Sequence, residues 1–95
     1  MAETNQSIDR DAVPSLPPGY RMQWEEVQDC HVLLYPEGMV QLSDTASLIL
    51  QRCDGNATLG GIIAALEQEF DEEDLSEDVL GFMSEAVARG WVRFG

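Results

Sequence analysis

The chain has 95 residues, 44% of them hydrophobic, enough for one small domain with a thin core and little room for a deep catalytic pocket. Eighteen acidic residues against five basic ones give a net charge of −13, and every basic residue is arginine. So acidic a surface argues against nucleic acid and anionic membranes as partners, and the lack of lysine excludes a phosphate-loop lysine, a Schiff base and a lysine general base.

Cys30 and Cys53 are too few for a disulfide framework, and no apolar stretch approaches the length of a transmembrane helix. The opening MAETNQSIDRDAV is polar and acidic, unlike a secretory signal or transit peptide, so a cytoplasmic protein with free thiols is expected.

Residues 1–18 lack helical or strand periodicity and end in Pro14, Pro17 and Pro18. They are expected to form a disordered N-terminal arm, with the folded domain spanning 19–95. Tyr20, Met22 and Trp24 alternate with Arg21, Gln23 and Glu25, which predicts a strand with one apolar face. The run Cys30 to Tyr35 is continuously apolar, as in a strand covered on both sides. Pro36-Glu37-Gly38 signals a turn into a short third strand, Met39 to Leu42, completing an antiparallel meander.

After Leu42 the period becomes helical. Ser43 is positioned to cap a helix burying Ala46, Ile49, Leu50 and Cys53, and Asp54-Gly55 ends it. Thr58 is positioned to cap a second helix with Leu59, Ile62, Ile63, Leu66 and Phe70 on one face, and Gly60 and Gly61 permit close approach of a neighbour at its start. Asp74 and Glu77 are spaced to cap a third helix that runs to Arg89 and stops at Gly90. Trp91 to Phe94 is a short apolar tail, suited to a final strand or a lid on the core. On the third helix Leu75, Val79, Phe82 and Ala86 fall within about 60°, and Leu80, Met83 and Val87 widen that arc to about 160°. Either this helix is sandwiched within its own domain, or the surplus edge, Leu80, Met83 and Val87, lines a groove for a partner. The expected fold is α+β and winged-helix-like: a three-stranded antiparallel meander followed by a three-helix bundle.

Little in the chain points to chemistry. Cys30, His31 and Cys53 lack metal-site spacing, and adjacent Cys30 and His31 face opposite sides of a strand. His31 in an apolar strand is a poor candidate for a nucleophile triad, and no phosphate loop, dinucleotide fingerprint or zinc-protease helix is present. No catalytic residue, metal site or cofactor is expected. Glu67, Glu69, Asp71, Glu72, Glu73, Asp74, Glu77 and Asp78 form an acidic run without an intervening base and without the glycine and alternation of a calcium loop. This run is either a solvated loop and helix start or a docking surface for a basic partner. The carboxylates Glu77, Asp78 and Glu85 on the third helix oppose its use in a DNA groove.

Gly19-Tyr-Arg-Met-Gln-Trp-Glu25, Leu33-Leu-Tyr-Pro-Glu-Gly-Met-Val40, Ile49-Leu50 with Cys53-Asp-Gly55, and Gly90-Trp-Val92 resemble the PqqD family, over about Pro17 to Phe94. Thr58 with Ile62 and Ile63 fits as well. The resemblance implies a non-catalytic, winged-helix-like peptide-recognition domain of pyrroloquinoline quinone (PQQ) biosynthesis. Such a domain binds the ribosomal precursor peptide PqqA and presents it to the radical S-adenosylmethionine enzyme PqqE, which cross-links a glutamate to a tyrosine in that peptide. Quinone binding late in the pathway and a winged-helix regulator are the alternative readings.

An exposed sheet edge can accept an extended peptide as an added strand. The expected peptide-binding residues are therefore Met39, Val40, Gln41 and Leu42 on the candidate edge and Leu80, Met83 and Val87 on the helix wall, with Phe82 on the core side. A free edge also allows a strand-paired or swapped dimer in place of a monomer.

Overall fold

The computed structural model describes residues 9–94, so the first eight residues of the expected arm lie outside the described residues. In chain order the elements are β1 (Pro14–Ser15), β2 (Arg21–Glu25), β3 (Cys30–Tyr35), β4 (Gly38–Gln41), α1 (Asp44–Gln51), α2 (Leu59–Glu69), α3 (Ser76–Ala88) and β5 (Arg93–Phe94). The α+β expectation holds: a three-stranded antiparallel sheet of order β2-β3-β4 precedes three helices. Strand alternation sets Met22, Leu33 and Val40 abreast on the face turned to the core, and Gln23, Val32 and Gln41 abreast on the other. Both Val32 and Leu33 are fully buried, which is why β3 reads as continuously apolar.

The helix starts follow two different rules. Ser43 Oγ accepts from the Ala46 N–H and Thr58 Oγ1 from the Gly61 N–H, each at 3.1 Å, so both expected side-chain caps form. The third does not: α3 has Leu75 at its N-cap with no side-chain cap bond, and Asp74 sits in the left-handed region at φ 64°. The Leu75 N–H instead donates to Glu67 Oε2 at 3.0 Å, so a carboxylate of α2 serves the start of α3. At its other end α3 closes in a Schellman turn, with the Trp91 N–H on the Ala86 carbonyl, the Gly90 N–H on the Val87 carbonyl, and Gly90 at φ 81°.

The expectation of a disordered arm fails over the part described. Pro14 and Ser15 pair with Phe94 and Arg93, Ser15 bridges to Asp54, and Pro14 is fully buried. The physical reason lies at the start of α2, where the Leu59 N–H donates to the Ala12 carbonyl and the Gly60 N–H to the Arg10 carbonyl, both at 2.8 Å. With Gly61 held by Thr58, the first three donors of α2 are all satisfied, two of them by the arm. The arm lies directly against this turn: a Cβ at Gly60 would meet the Arg10 carbonyl oxygen at 3.4 Å, an ordinary contact.

The core gathers Leu33, Leu42, Ile49, Leu50, Leu59, Ile62, Leu66, Val79, Met83 and Val92. Met83 is 0% exposed, which corrects its expected place on a groove wall; Val79, Met83 and Ala86 are the buried stripe of α3, and Phe82 lies half-buried on its flank. Phe70 also departs from expectation: it ends α2 outside the core and is 47% exposed. Met83→Ala should cost about 2–5 kcal/mol by leaving a cavity, and Phe82→Ala less, as chemical denaturation of the two variants will show.

Cys53 is buried with its Sγ–H directed at the Ile49 carbonyl, and burial, aided by the charge of Asp54, pushes the thiol from its ordinary 9.0 up to about 12. The unfolded chain would release this proton first, so the thiol's stabilising contribution is complete below about pH 9 and fades towards pH 12. Iodoacetamide at pH 8 should label the folded chain once, on half-exposed Cys30, and twice after denaturation, read by intact mass.

Candidate functional site

The order β2-β3-β4 leaves β4 at an edge of the sheet. The Leu42 N–H donates to the His31 carbonyl, which with the antiparallel register turns the main-chain groups of Gly38, Val40 and Leu42 towards β3. Those of Met39 and Gln41 therefore point away from the sheet, each presenting one N–H and one C=O.

Beside this edge lies a cleft of about 320 Å³, bordered on the sheet side by Val40, Gln41 and Leu42. Phe82 and Glu85 of α3, with its C-cap Arg89 and Trp91 just beyond, form the facing wall. At 100° per residue Asp78, Phe82, Glu85 and Arg89 fall within about 60° on one flank of the helix, next to its buried stripe. The Arg89 guanidinium accepts no solvent-only role here. It pairs with Glu85 at 2.8 Å and stands 5.3 Å from the centroid of the Trp91 ring, so the ion pair and the indole hold one another over the cleft.

The expected site residues divide accordingly. Val40, Gln41 and Leu42 border the cleft. Met39 is half exposed on the opposite face, in register with Leu34, and turns its main chain rather than its side chain to the open edge. Met83 is core, while Leu80 and Val87 fall more than about 90° from Phe82 around the helix, on its other flank. The arc width was thus a sign of burial, and the wall facing β4 is the more polar flank. An aromatic residue followed by Glu and Arg at helical spacing, then the indole after Gly90, was the signal for that wall in the sequence.

A second cleft, of about 280 Å³, opens between α1, the end of α2 and the start of α3. Leu48, Phe70, Leu75 and Val79 give it an apolar lining, and Glu72 and Asp78 bring carboxylates to it. It shares no lining residue with the cleft at β4. Among the described residues no three His, Cys, Asp or Glu side chains gather as a metal-holding group, and no helix is long and apolar enough to cross a membrane. His31 lies edge-on to Trp24, with ring centroids 5.0 Å apart.

Open main-chain groups on an edge strand, faced by a helix flank across a cleft, define a small α+β recognition domain. The comparisons with known proteins agree. The family model described as coenzyme PQQ synthesis protein D matches residues 30–92. A PqqA binding protein of Azotobacter vinelandii is 51% identical over 81 residues, covering 84% of this chain and 88% of the relative. One from Methylococcus capsulatus is 42% identical over 87 residues, covering 92% and 94%. The solution structure of the PqqD portion of Methylobacterium extorquens PqqCD, a functional and stand-alone recognition element for ribosomally synthesized and post-translationally modified peptides, superposes with a TM-score of 0.76 at 30% identity, covering 96% of this chain and 99% of that one. The chain belongs to the PqqD family.

In a Trp24→Phe background, Arg89→Ala should loosen Trp91 and shift its indole fluorescence to the red, while Arg93→Ala leaves the spectrum unchanged.

Proposed function

We propose that this protein is a non-catalytic adaptor of PQQ biosynthesis that binds the precursor peptide PqqA by strand addition at β4 and presents it to PqqE. The observation that carries this reading is the free β4 edge beside the flank of α3, in a chain whose relatives are named PqqA binding proteins. The peptide would pair with the outward main-chain groups of Met39 and Gln41, which gives affinity with little demand on sequence. Selectivity would come from side chains entering the cleft against Val40, Phe82 and Trp91. Peptide binding calls for a monomer at this edge, because a dimer paired through β4 would consume the same hydrogen-bonding groups. In this reading a winged-helix-like layout serves a peptide in the cytoplasm, and the carboxylates Glu77, Asp78 and Glu85 on α3 keep DNA phosphates away.

Titration of the isotope-labelled protein with PqqA should move amide signals along β4 and the second half of α3. Gln41→Pro removes an outward N–H at an edge position that proline tolerates, and should weaken PqqA binding about tenfold or more, whereas Gln41→Thr keeps it within about threefold. Equal affinity of the two folded variants would rule out strand addition at β4.

A further inference from the structure

The cleft between α1, α2 and α3 is not used by the peptide-binding reading. Its floor is apolar, formed by Leu48, Phe70, Leu75 and Val79, and its polar lining includes the carboxylates of Glu72 and Asp78 and no base. Phe70 stands 47% exposed at its edge, a large apolar side chain left uncovered on a domain of this size. The connection that borders the cleft is itself tied down. Glu67 holds the Leu75 N–H through its carboxylate and the Glu72 N–H through its main-chain carbonyl, which ties the α2–α3 connection back onto α2.

Charge selects the occupant. Between Arg52 and Arg89 the sequence contains no basic residue, and of the eight carboxylates from Glu67 to Asp78, Glu69 is paired with Arg52 while Glu72 and Asp78 line the cleft with no base among its lining residues. A second copy of this chain, at −13, would be repelled. The chain's own first eight residues, MAETNQSI, bring one acidic side chain and no basic one. Nucleic acid is excluded by the same sign of charge. What fits is a polypeptide segment with a large apolar side chain for the cleft and arginine or lysine beside it for Glu72 and Asp78.

We infer that this cleft is the docking site for a basic segment of a second protein, bearing a large apolar anchor, and that it is separate from the peptide edge at β4. The inference rests on the adaptor reading in taking that second protein to be the modifying enzyme, so the probe is PqqE. An adaptor must hold both partners at once, and two clefts without a shared lining residue allow it.

The test is titration of the labelled full-length chain with PqqE, and separately with PqqA, at low and high salt. PqqE should move the amides of Leu48, Phe70, Leu75 and Val79, with an affinity that falls as salt rises. The double variant Glu72→Gln/Asp78→Asn should raise the dissociation constant for PqqE about tenfold and leave that for PqqA within about twofold. Glu73→Gln/Glu77→Gln, an equal loss of charge at residues that do not line the cleft, should change the PqqE constant by less than about threefold, and Phe70→Ala should weaken PqqE without lowering stability by more than about 1 kcal/mol. If PqqE binds but moves other amides, or if both charge variants weaken it equally, the docking site is overturned and the peptide reading stands. If Glu72→Gln/Asp78→Asn weakens PqqA instead, the cleft is an extension of the peptide groove and the inference fails. Binding of PqqA without any binding of PqqE overturns the docking site and the presentation step together and leaves peptide binding at β4 standing, and binding of neither overturns both readings.

Discussion

The rotation of α3 about its own axis is the setting on which the rest of the molecule depends. Val79, Met83 and Ala86 are all buried, and a helix that buries this triad has no freedom left to turn. With the triad fixed inward, Phe82, Glu85 and Arg89 are carried round to face β4 and Leu80 and Val87 are carried away from it. The same rotation brings Asp78 to the mouth of the second cleft. A core packing choice thus determines which side chains are offered on the surface, and neither cleft could be altered by turning the helix without opening the core.

The arm has a comparable role at the start of α2. Helix α2 begins with Leu-Gly-Gly, a weak start by propensity, and its Leu59 and Gly60 donors would otherwise be left to solvent. The carbonyls of Arg10 and Ala12 take them, and Pro14 and Ser15 then join β5 and the turn at Asp54 and Gly55. Gly60 costs helix stability, and the arm's hydrogen bond to its N–H helps to offset that weak start. The thin core of so short a chain is supplemented by main-chain bonds to a segment that has no periodicity of its own.

This division explains what was legible in the sequence. The meander, the three helices and the caps at Ser43 and Thr58 follow from alternation, a helical period and local hydrogen bonding, all of which act over a few residues. The arm was not legible because its contacts are to Leu59, Gly60 and Phe94, far along the chain; Gly60 signalled a close neighbour without identifying it. At Asp74 the local capping pattern lost to a carboxylate eight residues away from Leu75, on Glu67. The strand half of the candidate site, Val40 to Leu42, was legible from its position at the end of the meander. The helix half was not, because hydrophobicity alone ranks Met83 above Arg89 as a wall, whereas packing buries the first and leaves the second, stacked near Trp91, at the cleft.

The two clefts differ most in charge, because one has an arginine among its lining residues and the other has no base there. At β4 the Arg89 guanidinium offsets Glu85 next to it, so a strongly acidic protein presents a nearly neutral surface there. An exposed pair of this kind contributes at most about 1 kcal/mol to stability, so its consequence lies in the local field rather than in the fold. Glu72 and Asp78, at the other cleft, have no such base among the lining residues, and the field there stays negative. An extended peptide held mainly by main-chain hydrogen bonds needs no strong field and gains from its absence, since acidic and basic sequences are then tolerated alike. A folded partner, by contrast, is drawn and oriented by charge before contact. In the proposed reading, the neutral cleft beside the open strand suits an extended peptide and the charged cleft at the far end of the same helix flank suits a folded partner.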